Sequence, residues 1–436
     1  MDSLIDYDME EGHLRASAEW RREALHDSDQ RGKQFWKRRG VLVSRMGKLP
    51  VALYLGDPYD QASTVIVPRD QNDLPALWAY CSSDNYSLHV RKLDKKVNVT
   101  SGTLVKVPFD AAFWRSAAAV EFSRGLPLPH SNDPTQWLFE GQPTFSNSPL
   151  HVAIARLLGY RWPRQCGMAF PDCPALEADA LEAHADSDGI ACLNTLAGNE
   201  PAAKRLRTLL ESAYGAQWSA AKLTELLKSS SSLEEWLRDQ FFAEHCRLFH
   251  GRPFVWHIWD GRKDGFHALV NYHKLAGPNG EGRKTLEKLI YTLLGDWIGR
   301  QRAEVASGAD GAEARLSAAL HLYTELEKIL EGEPPYDIFI RWKPLQEQAI
   351  GWEADLNDGV RLNMRPWLMA KPYQTTKKDS CILRVTPIKL PLDTDRGNEP
   401  QRDKTDFPWL AETQDRNNDI HLTRDRKQKA RERKKA

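Results

Sequence analysis

No run of about 18 consecutive apolar residues occurs, so no membrane-spanning helix is expected. Net charge is absent too: 60 Lys and Arg offset 60 Asp and Glu. Whole-chain charge therefore selects no partner, and local charge must do so. Six cysteines in 436 residues are too few for a disulfide framework, and a reducing, cytoplasmic setting is expected. The first residues, MDSLIDYDMEEGH, are acidic and lack the basic-then-apolar order of a secretory signal. Length allows two to four domains at about 100–200 residues each. Tryptophan, at 15 residues, is the one type in excess, and most of those rings are expected in cores.

Signatures of catalysis are also missing. The Walker pattern GxxxxGK(S/T), HExxH, GxSxG and GxGxxG do not occur. Cys166, Cys173, His184 and Cys192 are the nearest approach to a zinc set. Their separations fit poorly, because zinc ligands come in pairs about two to four residues apart that one turn can aim at one ion. No metal site is expected. Methyl transfer to an exocyclic amine needs Asn, Asp or Ser before Pro-Pro-aromatic, so that a rigid backbone carbonyl and a short polar side chain hold the flipped base. EPPY, Glu333 to Tyr336, has a glutamate one methylene too long, and Asp57-Pro58-Tyr59 lacks the second proline. WDGRKDGF, Trp259 to Phe266, spaces its glycines too widely for a cofactor loop and reads as a structural turn. No catalytic residue is expected.

What is present is a change of texture along the chain. Residues 1–30 form a polar leader. β-Branched runs broken by Gly and Pro predict strands near 41–54, 64–67 and 103–108. Between them LPALWAYCSS predicts a helix with Pro75 at its start, and a further helix is expected over 111–124. LHVAIARLLGY is a short helix, 163–200 a weakly structured insertion, and 202–250 helical. PFVWHIW predicts a strand and FHALVNYHKL has mixed texture. Leu286, Leu289, Ile290, Leu293, Leu294, Trp297 and Ile298 give the clearest helical period, over 284–305. A second helix over 311–331 predicts an antiparallel hairpin with it. YDIFIRW and CILRV predict strands in the last hundred residues, and 424–436 is a basic tail.

Several long segments, in order, resemble the C-terminal part of large adenine-specific (N6) DNA methyltransferases. LPVALYLGDPYDQASTVIVPRDQNDLPALWAYCSSDNYSLHVRKLDKKVNVTSGTLVKVPFD is similar to their TaqI-type specificity region. RPFVWHIWDGRKDGFHALVNYHKL, LEKLIYTLLGDWIGRQ, PYDIFIRWKPLQEQAIGWEADLNDGVRLNMRPWL and ILRVTPIKLPLDTDRGNEP are similar to the far C-terminal part of that family. The resemblance spans about two-thirds of the chain. Such enzymes belong to restriction-modification and phage-defence systems of the DISARM and BREX kind. Their cofactor loop and (N/D/S)PPY motif lie upstream of these segments, and neither is found here.

The resemblance implies an α+β fold without a complete Rossmann-like methyltransferase domain. A mixed specificity region over 31–150 precedes a largely helical body over 151–331, then an irregular β region over 332–423. It implies a DNA-recognition module that works on double-stranded DNA with a separately encoded catalytic domain or defence-system subunit. That domain, and not this chain, would hold S-adenosylmethionine. A self-sufficient methyltransferase with degenerate motifs, or an assembly subunit that never touches DNA, are the competing expectations.

Within the specificity region the residues suited to DNA are Arg91, Lys92, Lys95, Lys96 and Lys106 for phosphates, with Asn98, Thr100 and Thr103 for base edges. Lys37 and Arg38, beside Phe35 and Trp36, form a second basic-aromatic cluster. A solvated charged face is the plainer reading of each cluster. DLNDGVRLNMRPWL, Asp355 to Leu368, reads as a packed turn or as a contact to DNA or the missing domain.

Overall fold

A computed structural model describes residues 33–57, 59, 62–170, 172–228, 230–277, 280–332, 363–375 and 380–384, with a few isolated positions further on. The chain is mixed α+β and mostly helical. It divides into two units, Met1–His130 with Ala169–Pro174, and Ser131–Met168 with Ala175–Ala436. Each has its own core. YDIFIRW, EPPY and most of the basic tail lie outside the described residues.

In the first unit, β1 (Gly40–Ser44) is the middle strand, antiparallel to β2 (Val51–Tyr54) and β3 (Ser63–Ile66). Val41 and Val43 are fully buried on one face of β1, while Leu42 and Ser44 on the other are half-buried. That period of two is what a one-sided sheet requires. The helix Leu74–Ser82 carries Pro75 in its first turn and packs on β1 and on the helix Ala111–Glu121. Tyr80 gathers Tyr86, Phe109 and Trp114 at ring distances of 5.3–5.4 Å.

The strand expected over 103–108 is replaced by one helical turn, Ser101–Leu104. The amides of Thr103 and Leu104 both bond the Thr100 carbonyl, at 3.0 and 3.4 Å. Leu104 is buried, and its carbonyl accepts the Tyr86 hydroxyl at 3.1 Å. Burial of one leucine and local hydroxyl bonding outweigh the β-branched texture of the segment.

In the second unit, β6 (His267–Asn271) lies between β4 (Ile190–Cys192) and β5 (Val255–Trp259), all antiparallel. All five β6 residues are buried, so no alternation marks this strand. β4 comes from the stretch expected to be a loose insertion. The same stretch supplies Asp179, which holds buried Arg156 through two guanidinium nitrogens. Residues 202–250 form four helices, Ala202–Tyr214, Ala220–Leu227, Leu233–Asp239 and Phe241–Leu248. Ser219 and Ser232 cap two of them, each hydroxyl accepting an amide at 3.1 Å.

The predicted hairpin is Gly295–Ala306 against Ala312–Glu331, with Gly308 and Gly311 at positive φ in the turn. The helix before the turn contains a π segment, Lys288–Leu294, which the sequence period does not reveal. CILRV reaches β5 through one bridge, Ile258 to Leu383. No helix among the described residues is long and apolar enough to cross a membrane.

Candidate nucleic-acid interface

The basic stretch starts at the end of the helix Asp84–Leu93 and closes on the C-terminal end of β1. Arg45 and Val99 tie it there: the Val99 amide bonds the Arg45 carbonyl at 2.9 Å, and Arg45 Nε bonds the Val99 carbonyl at 2.8 Å. Met46 and Asn98 form an antiparallel bridge beside them. Asp94 Oδ1 accepts the Lys96 amide at 2.9 Å, which turns the chain between the lysines. The loop is thus pinned at both ends by backbone bonds.

Lys92, Lys95, Lys96 and Lys106 are exposed, and their ammonium groups make no ion pair or hydrogen bond among the described residues. Asp94, the acid among them, is engaged in the turn. Leu93 and Val97 in the same stretch, and Met46 bridged to Asn98, are exposed apolar side chains. Arg91 is placed differently. It is half-buried and donates from both terminal nitrogens to the carbonyls of Lys96 and Gly47. Its guanidinium shapes the loop, and only its remaining hydrogens are open to a phosphate.

Asn98 and Thr100 are exposed and Thr103 is half-buried. The hydroxyls of Thr100 and Thr103 bond each other at 2.9 Å, and Thr64 and Ser101 do the same at 2.8 Å. Four hydroxyls therefore cluster on this edge. Ser101 and Thr64 escaped sequence reading because only the fold brings β3 beside the helical turn.

Lys37 and Arg38 are exposed at the other end of β1. Lys37 has φ 60°, and its amide bonds the Gly56 carbonyl at 2.9 Å. A Cβ on Gly56 would fall 2.8 Å from Lys37 Cα, so the crossing requires glycine. Five strand residues separate the clusters, roughly 16 Å at about 3.3 Å per residue. The structure does not merge them into one patch.

The second unit holds a buried histidine pair that the sequence did not single out. His267 Nε2 faces the Arg262 carbonyl at 2.8 Å and so carries the proton. Its Nδ1 then accepts from His257 Nε2 at 3.0 Å. Burial pushes both imidazoles down, His267 to about 4, so both are neutral near pH 7. WDGRKDGF forms the hairpin loop between β5 and β6, with buried Asp260 accepting the amides of Arg262 and Phe266. A hairpin between antiparallel strands offers no helix start for a cofactor phosphate or carboxylate. From Asp355–Leu368 the described residues begin at Asn363, and Met364 and Trp367 are fully buried. Among the described residues no group of three His, Cys, Asp or Glu could hold a metal.

No protein-family model matches the chain, and no curated protein matches it.

Proposed function

We propose that the chain is a cytoplasmic DNA-recognition module of an adenine-specific (N6) DNA methyltransferase, working with a catalytic domain on another polypeptide. The observation that carries the reading is the pinned loop Asp94–Thr100. Unpaired Lys95 and Lys96 immediately precede exposed Val97 and Asn98, with the Thr100 and Thr103 hydroxyls alongside. Lysines on a fixed backbone meet phosphates at little entropic cost, and Asn98 is the amide nearest to reach a base edge. The catalytic domain would hold S-adenosylmethionine. Exposed Phe113 and Val120, seven residues apart on the helix Ala111–Glu121, support a protein partner for this unit.

The test is fluorescence anisotropy on two duplexes over a series of salt concentrations, with and without the catalytic partner. Lys95→Ala with Lys96→Ala should weaken both duplexes alike and flatten the log–log salt slope by roughly two units, about one per phosphate contact. Asn98→Ala should instead change the preference between duplexes, by about 1–3 kcal/mol if it reads a base. Unchanged affinity and slope in the double variant would make the loop a solvated face and favour an assembly subunit.

A further inference from the structure

β2 is an edge strand: β1 pairs with one side of it, and among the described residues nothing pairs with the other. The Ser44 amide donates to the Pro50 carbonyl at 2.9 Å, which sets the phase of the ladder. Backbone groups alternate in direction along a strand, so the bonds to β1 run through Pro50, Ala52 and Tyr54. The N–H and C=O groups of Val51 and Leu53 therefore point away from β1, and among the described residues no hydrogen bond reaches them. Edge strands are ordinarily guarded by charge, proline or a bulge. Val51–Tyr54 has none of these, and its Ala52 is exposed. The opposite edge, β3, is polar at Ser63 and Thr64. β2 also borders a cavity of about 500 Å³, with Leu53, Leu55, Leu126 and Leu128 in its lining. Leu128 is 75% exposed, and the segment Leu126–Pro129 makes no backbone bond to β2.

We propose that β2 pairs antiparallel with β2 of a second copy of this chain, about a twofold axis at Ala52. Val51 then faces Leu53 of the other copy, and Leu53 faces its Val51, each pair exchanging both backbone bonds. Ala52 meets Ala52 of the other copy in the close, non-hydrogen-bonded position, where a methyl side chain fits. Charge selects a second copy in this direction. Lys48 precedes the strand and Asp57 follows it; both are exposed, and neither makes an ion pair among the described residues. Antiparallel pairing centred on Ala52 brings Asp57 of each copy next to Lys48 of the other, so the two ends are complementary. Parallel pairing of the same edges would set like charges together. A four-residue edge alone makes a weak contact, and exposed Leu128 with the leucines beside it adds the apolar area that association needs. The interface is self-complementary and closes at two copies. The inference does not depend on the DNA-recognition reading.

The experiment is sedimentation equilibrium of the full chain at low salt. Over about 1–100 µM, the range of weak association, monomer should pass to dimer as concentration rises. Leu53→Pro removes an N–H that faces away from β1, so it should abolish the dimer and keep the sheet. Asp57→Lys and Lys48→Asp should each weaken self-association roughly tenfold, because two exposed pairs turn from attraction to repulsion. Mixing the two variants should restore the dimer, since an Asp57→Lys chain facing a Lys48→Asp chain has opposite charges at both ends. The double variant, Asp57→Lys with Lys48→Asp, should dimerise like the parent. Altered folding cannot produce recovery on mixing, so that arm decides the case even where Leu53→Pro lowers Tm. A parent chain that stays monomeric across the range would overturn the proposal. So would a dimer that both charge variants leave unchanged, or one that mixing fails to restore, because its interface would lie elsewhere.

Discussion

Asp239 sits between two guanidinium groups. It accepts from Arg238 Nε and Nη2 at 3.1 and 2.7 Å, and from Arg384 Nη2 at 2.8 Å. The Arg238 bonds come first in holding its carboxyl down to about 2; burial opposes them, and Arg384 adds to them. Arg384 is itself fixed, lying 4.2 Å over the Trp259 ring and donating its amide to the His257 carbonyl at 2.8 Å. A carboxyl whose folded value lies below its unfolded 3.8 stabilises the fold above about pH 4 and loses that contribution as pH falls toward 2. Asp239→Asn should therefore lower Tm at pH 7, and the gap to the parent should close between pH 4 and pH 2. Thermal melts of both proteins across that range are the check, and a pH-independent gap would show that the carboxylate charge is not what binds Arg384 to the body. The Arg384 contact was not legible in the sequence, since Asp239 and Arg384 are 145 residues apart.

At the scale of elements, legibility followed periodicity. The hairpin helices could be read because leucines repeat along a face long enough to count. Ser101–Leu104 could not, because one helical turn gives no period and its β-branched neighbours imitate a strand. β4 escaped notice for the same reason at three residues, and β6 because burial on both faces removes alternation. The loop between β5 and β6 was readable as a turn, while the reason for its glycines was not. Gly265 leaves room for the Asp260 carboxylate: a Cβ there would lie 2.2 and 2.3 Å from its two oxygens. Burial raises that carboxyl to about 6, yet it still anchors two loop amides at 2.8–2.9 Å. Gly265→Ala must displace the carboxylate and strand both amides. The expected loss is roughly 2–6 kcal/mol, from about 1–3 kcal/mol for each of the two unsatisfied groups. Urea unfolding measures it, and a loss under about 0.5 kcal/mol, the usual scale of a harmless surface change, would mean the loop relaxes without cost.

At the scale of the whole molecule, the basic loop belongs to a small core and the sheet with the histidine pair to a large one. The first is built around Val41, Val43, Tyr80, Tyr86 and Val90. The second runs from Phe139 through the hairpin to Leu383 and shares none of those residues. Separate cores predict separate melting, since cooperativity is carried by contiguous packing. The first unit should melt at the lower temperature, because a small core leaves a smaller surplus over chain entropy. Val43→Ala, at a fully buried position, removes roughly 2 kcal/mol of burial. It should lower the first transition by roughly 8 °C or more, at about 4–8 °C per kcal/mol for a domain of this size, and leave the second in place. Leu289→Ala, also fully buried, costs about 2–5 kcal/mol and should do the reverse. Differential scanning calorimetry of the two variants reads both shifts at once. If each substitution moved one common transition by the same amount, the cores would be energetically a single body, and a change in the second unit would then reach the basic loop through stability alone.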